Sequence, residues 1–157
     1  MADVVEAEGG IVDKFIGDGV MAVFLPRDET DNHALRAVRA SIRMQQELGT
    51  IKRRWRATRP EVAELLVRVG INTGEMVAGN IGSETRMDYT VIGDNVNVAS
   101  RIESNGVGGQ VHISEATYKM LCNLIPALPR GPIQVKNRVQ PVQIYSVVIP
   151  EPAAEEP

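Results

Sequence analysis

The feature that most constrains this chain is a largely apolar run, Ile11 to Phe24, cut near its middle by Gly17-Asp18-Gly19. Both halves are β-prone, and a glycine-rich triplet between two such segments reads as a hairpin with a short loop. An antiparallel ribbon is thus an early element of the fold. The same two glycines leave the Asp18 carboxylate unobstructed and let backbone approach a ligand closely, a geometry that suits a hard cation. The plainer reading, that Asp and Gly are there only to make the turn, stands beside it.

The rest of the chain alternates between strand-like and helix-like patterns. Ala2 to Glu8 is helix-compatible. Thr30 or Asp31 can cap a helix through Gln46 or so, with Ala34, Leu35, Val38 and Ile42 as its buried stripe. Residues 50–60, with Lys52, Arg53, Arg54, Arg56 and Arg59, read as a basic connecting stretch. Leu65 to Asn72 and Glu75 to Gly79 flank Asn72-Thr73-Gly74 as a second hairpin. Tyr89 to Ile92 leads through Gly93 into a helix over Asn95 to Ser104. Val111 to Ile113 is a short strand, and Ser114 can cap a helix from Glu115 to about Asn123. Gly131 to Val135 and Pro141 to Val148 close the pattern. It predicts an α+β fold around a largely antiparallel sheet.

Composition narrows the function classes. At 157 residues, with 43% hydrophobic and 24% charged residues, the chain fits one globular domain. A net charge of -3 gives no basic stripe for nucleic acid, so any bound phosphate must be held locally. No apolar run approaches the ~20 residues of a membrane helix, so this segment is expected to make no membrane contact. The single cysteine, Cys122, forms no internal disulfide, which fits a reducing cytoplasm. It is expected to be a small buried residue sharing a helix face with Tyr118 and Leu121.

Several residues can carry chemistry. Lys14 lies inside the apolar strand four residues before Asp18, where a charge needs solvent or a partner. An outward-facing lysine and a ligand-binding one are both open readings. Asn97 and Arg101 are four apart and share a helix face, presenting an amide and a guanidinium together. A planar guanidinium suits charge developing on phosphate, although a surface Arg beside an Asn is also ordinary. Common nucleotide-loop and metal-ligand templates are missing from the sequence, and His33 and His112 are isolated.

The strings GGIVDKFIGDGVMAVF, VRVGINTGEMVAGNIGS and MDYTVIGDNVNVASRIES, in this order and spacing, resemble the signature of class III adenylyl and guanylyl cyclase catalytic domains. The resemblance runs from about Gly9 to Val148. It implies a ferredoxin-like cyclase homology domain, active as a head-to-tail homodimer with two composite sites. Asp18 falls on one of the family's two metal-binding aspartates, so Mg²⁺ or Mn²⁺, two per site, is the implied cofactor. Lys14 and Thr90 fall on the pair that reads the purine, Asn97 on the residue that orients the ribose, and Arg101 on the one that stabilises the transition state. Lys136 or Arg138 lies near the family's triphosphate-binding lysine.

With Lys14 as donor to adenine N1 and Thr90 as acceptor from the 6-amino group, the resemblance implies an adenylate cyclase acting on ATP. The family's other metal aspartate belongs to an opening strand and phosphate-binding turn upstream of the hairpin, and the sequence has no such segment. The expected organisation is therefore a catalytic domain over residues 1–149, N-terminally truncated and without its first strand, followed by a disordered Pro/Glu/Ala tail at 150–157. A catalytically silent cyclase-like module for dimerisation or nucleotide binding is the alternative.

Overall fold

The computed structural model describes residues 1–83, 86–136 and 138–150, and the side chains of all of these except 81–89. The expected tail lies, beyond Pro150, outside the described residues. Helix α1 (Ala2–Ala7) leads into a hairpin of β1 (Ile11–Ile16) and β2 (Gly19–Val23). Gly17 makes the turn possible by adopting φ +61°, a left-handed conformation that glycine enters without a Cβ penalty.

Helix α2 (His33–Trp55) follows and is longer than the sequence pattern predicts. Its cap is Asn32, whose side chain accepts from the Leu35 amide, and not Thr30 or Asp31. Asp31 is occupied elsewhere, accepting two bonds from the Arg36 guanidinium at 2.6 and 3.0 Å. Lys52, Arg53 and Arg54, expected in a connecting stretch, form the last turn of α2, where cations offset the negative end of the helix dipole.

A short 3₁₀ turn (Pro60–Glu64) precedes β3 (Val69–Ile71), and then come β4 (Val77–Ser83), β5 (Arg86–Ile92), α3 (Asp94–Ser104), β6 (Val111–Ser114), α4 (Glu115–Met120), β7 (Ala127–Ile133) and β8 (Val142–Val147). The expected hairpin around Asn72-Thr73-Gly74 does not form. β3 instead pairs in parallel with β6, and β4 pairs antiparallel with β5. Asn72 is drawn away from turn-making by its bonds to the Asn95 carbonyl and side chain at 3.0 and 3.1 Å.

The main sheet has the order β3-β6-β8-β7, antiparallel except for β3 with β6. Leu35 and Val38 of α2 pack with Val111, Ile113, Leu121 and Val147. Val98 and Ile102 of α3 form a second cluster with Val135 and Ile144. A third joins α1 and α2 to the hairpin through Val5, Ala40 and Met44, with Val12, Ala22 and Phe24 packed against them.

Gly70 sets the spacing of α3 from β3. A Cβ there would stand 2.3 Å from the Glu103 nitrogen and 2.7 Å from the Ala99 oxygen, so the helix backbone lies directly on the strand. Cys122 departs from expectation. It lies beyond the end of α4 with φ +48° and is exposed, because the helix stops at Met120 and the chain turns before the cysteine can join the face of Leu121.

Candidate active site

The sequence-predicted residues fall on four supports: the β1–β2 hairpin, β5, α3 and the loop after β7. Asp18 is exposed at the hairpin tip. Its carboxylate offers the hard oxygen donors that Mg²⁺ or Mn²⁺ takes, and such an ion is often held by one or two carboxylates with phosphates completing the shell. One carboxylate fits as an anchor and does not build two sites. Among the described residues there is no cluster of three acidic, histidine or cysteine side chains.

Lys14 and Thr90 come together through a residue that the sequence reading passed over. In β1 the register shifts between Val12, paired with Ala22, and Lys14, paired with Met21, leaving Asp13 as the extra residue of a bulge. Neighbours in a regular strand point to opposite faces, and a bulge re-aims one of them. Here the Asp13 carboxylate reaches the Lys14 ammonium at 3.3 Å and accepts a bond from the Thr90 hydroxyl at 2.9 Å. Asp13 is nearly buried, with 5% of its side chain exposed, while Lys14 keeps 43%. A legible signal was present: adjacent opposite charges inside an apolar strand would send one charge inward unless the strand bulges.

Asn97 and Arg101 are exposed on α3, while their neighbours Val98 and Ile102 are fully buried. No side-chain hydrogen bond or ion pair holds either of them among the described residues. Arg138 is differently placed. It donates to Asp94 at 2.5 Å and to Asn95 at 3.3 Å, tying the loop after β7 to the start of α3. Lys136 is exposed and makes no ion pair among the described residues. A groove of about 410 Å³ lined by Glu75, Met76, Val77, Ile92 and Gly93 lies near the start of α3 and contains none of the predicted residues.

Residues 4–148 match the Adenylate and Guanylate cyclase catalytic domain. The chain belongs to this family. The cyclase domain is 33% identical over 149 residues to Adenylate cyclase 1 of Rhizobium meliloti (strain 1021), a match covering 94% of the chain and 22% of that protein. The crystal structure of the adenylyl cyclase CyaB from P. aeruginosa superposes with a TM-score of 0.86 at 39% identity, covering 96% of this chain and 77% of that one. The guanylyl cyclase Cya2 superposes with a TM-score of 0.83 at 37% identity, covering 98% and 77%.

These neighbours bear out the α+β cyclase fold. The chain spans between 7% and 30% of the length of the curated relatives it matches. Adenylyl and guanylyl cyclases match this domain almost equally well, so the choice of base rests on its own residues. No helix among the described residues is long and apolar enough to cross a membrane.

Proposed function

We propose that this domain converts ATP to cyclic AMP and pyrophosphate in composite sites formed where two copies meet head to tail. The observation that carries the reading is the pairing of the Lys14 ammonium with the Thr90 hydroxyl across Asp13. Lys14 offers a donor to adenine N1 and Thr90 an acceptor to the 6-amino group. Guanine carries a hydrogen at N1 and an oxygen at position 6, so it would meet donor with donor and acceptor with acceptor. In the reaction the ribose 3′-hydroxyl attacks the α-phosphorus in line and pyrophosphate leaves.

Asn97 orients the ribose, and Arg101 stabilises the charge that develops on the phosphoryl group. Lys136 is better placed than Arg138 to meet the triphosphate, since Arg138 is already engaged by Asp94. Mg²⁺ or Mn²⁺ at Asp18, one of two ions per site in this reading, would neutralise the triphosphate and lower the pKa of the attacking hydroxyl. Support for the homodimer comes from the surface around these groups. Phe15 and Ile16, beside Lys14 and Asp18, are 70% and 62% exposed, as an apolar patch awaiting a partner would be. The domain so read spans residues 1–149, without the family's first strand and metal-binding turn, and works in the cytoplasm.

A second reading, a silent module that binds nucleotide or dimerises, is favoured by the lack, among the described residues, of any cluster of three side chains that could hold a metal ion. The two part in one assay. The 157-residue chain and a version extended upstream are incubated with ATP or GTP and Mn²⁺ or Mg²⁺, and cyclic nucleotide and pyrophosphate are followed. Cyclic AMP from the extended protein supports the cyclase, with Asp18→Ala abolishing turnover and Lys14→Glu weakening the preference for adenine. Nucleotide binding without any cyclic product would leave the silent module.

A further inference from the structure

We propose that Asp13 is a positioning residue that sets which nucleobase the site accepts, by fixing the Thr90 hydroxyl as an acceptor. The inference rests on the reading of Lys14 and Thr90 as the base-contacting pair. A threonine hydroxyl has one hydrogen and two lone pairs, so left to itself it rotates to donate or to accept as the ligand demands. Such a group cannot tell an amino group from a carbonyl oxygen. In this structure the hydroxyl does not have that freedom. An ionised carboxylate only accepts, so the 2.9 Å contact between Thr90 Oγ1 and Asp13 Oδ2 consumes the hydroxyl hydrogen. What remains for a ligand is lone pairs, which suit the 6-amino group of adenine and oppose the 6-oxygen of guanine.

The surroundings favour this arrangement. Asp13 is nearly buried, and a buried carboxylate holds its bonds tightly because water competes poorly for them. Thr90 is also buried, at 7% exposure, so few other partners can claim its hydrogen. The Lys14 ammonium at 3.3 Å balances the charge of Asp13 and has three donors, which leaves others free after it meets the carboxylate. Both members of the pair are thus polarised by one carboxylate, Thr90 into an acceptor and Lys14 into a tethered donor. Gly79 lies across the β4–β5 ladder from Thr90, and a Cβ built there meets no described atom within 4 Å.

The test compares affinities for 3′-deoxy-ATP and 3′-deoxy-GTP, which lack the attacking hydroxyl, by calorimetric titration with Mn²⁺ on the protein extended upstream. The ratio of kcat/KM for ATP and GTP is measured in parallel. Asp13→Leu frees the Thr90 hydroxyl to rotate, and the preference for the adenine ligand should fall about tenfold, mainly by a gain in binding of the guanine ligand. Asp13→Glu should restore part of it. In Asp13→Leu/Thr90→Val the loss should be no larger than for Thr90→Val alone, because the two residues act as one device.

Asp13→Asn has nearly the native shape and carries the same test if the leucine variant does not fold. Its preference should fall, since an amide can also donate to Thr90 and leave the hydroxyl free to donate onward. A preference that survives in all Asp13 variants, or one in which both nucleotides weaken equally, would overturn the role of Asp13 and leave the adenine reading standing. An unaltered protein that binds both ligands equally, or neither, would overturn the adenine reading and this inference with it.

Discussion

β1 and β6 are both rich in β-branched residues, and they end in opposite environments. All four residues of β6, Val111 to Ser114, are buried: the strand lies between β3 and β8, Val111 and Ile113 meet α2, and α3 closes on its other face. In β1 only β2 pairs alongside, and Ile11, Phe15 and Ile16 remain 52%, 70% and 62% exposed. Burial here follows the number of layers that reach a strand, not the apolarity of its side chains. The exposed ribbon is also the one that carries Lys14 and Asp18, so the polar groups proposed for chemistry sit inside an apolar skin. The β6 region gives the fold its stability and the hairpin region gives it a surface to use.

That division can be broken from either side. The largest effect is expected for Arg101→Ala, where loss of an exposed guanidinium should lower kcat by about 10²–10³ and leave thermal unfolding unchanged. A fall in melting temperature alongside activity would show that the Arg101 side chain serves stability as well. Next comes Ile113→Ala, which empties a fully buried position and should cost about 2–5 kcal/mol in a denaturant titration, with turnover per folded molecule intact. On the hairpin, Phe15→Ser should shift the midpoint of denaturation by less than about 0.5 kcal/mol and weaken self-association about tenfold in sedimentation equilibrium. If it destabilises the single chain as Ile113→Ala does, the contrast between the two strands is wrong.

The smallest expected effect concerns pH. His112, on β6, is buried with no partner for Nδ1 among the described residues, and burial, with a lesser contribution from nearby Arg130, holds its imidazole below the usual 6.5. The unfolded chain therefore takes up this proton first as pH falls. The stabilising effect of neutral His112 is whole above about pH 6.5 and is lost as pH drops from there toward the folded-state value. His112→Gln should flatten the acid side of the stability curve between pH 7 and 5, read by thermal unfolding, and leave the alkaline side as it was.

Much of this molecule was legible in its sequence, and the illegible parts share a cause. The β1–β2 hairpin, the stripe of α2 and the Ser114 cap depend on contacts within a few residues, and all three form where the pattern places them. β3 and β4 read as a hairpin because Asn72 and Gly74 are turn residues. Their real partners, β6 and β5, were decided by contacts that local composition does not encode. The length of α2 was missed because its basic end looks like a solvated loop until the helix dipole is counted. Cys122 was misplaced because α4 stops three residues sooner than its pattern allows.

At the candidate site, Asn97 and Arg101 share an exposed face as their spacing demands. Asp13 escaped notice because a bulge shifts the period of two on which strand reasoning depends. The roles of Lys14 and Thr90 in reading the purine came from resemblance. The bond between Asp13 and Thr90 spans 77 positions of sequence and is a property of the fold.

Gly70 acts as a spacer of zero thickness. The height at which Asn97 and Arg101 stand above the sheet is fixed by a missing atom one layer beneath them, where α3 rests on β3. Any side chain at position 70 would jack the helix outward and carry both groups with it, so the alignment of the rim is inherited from the middle of the molecule. A lineage could change residues around Lys14 and Thr90 one at a time, yet it could not alter this one position without re-cutting every distance above it.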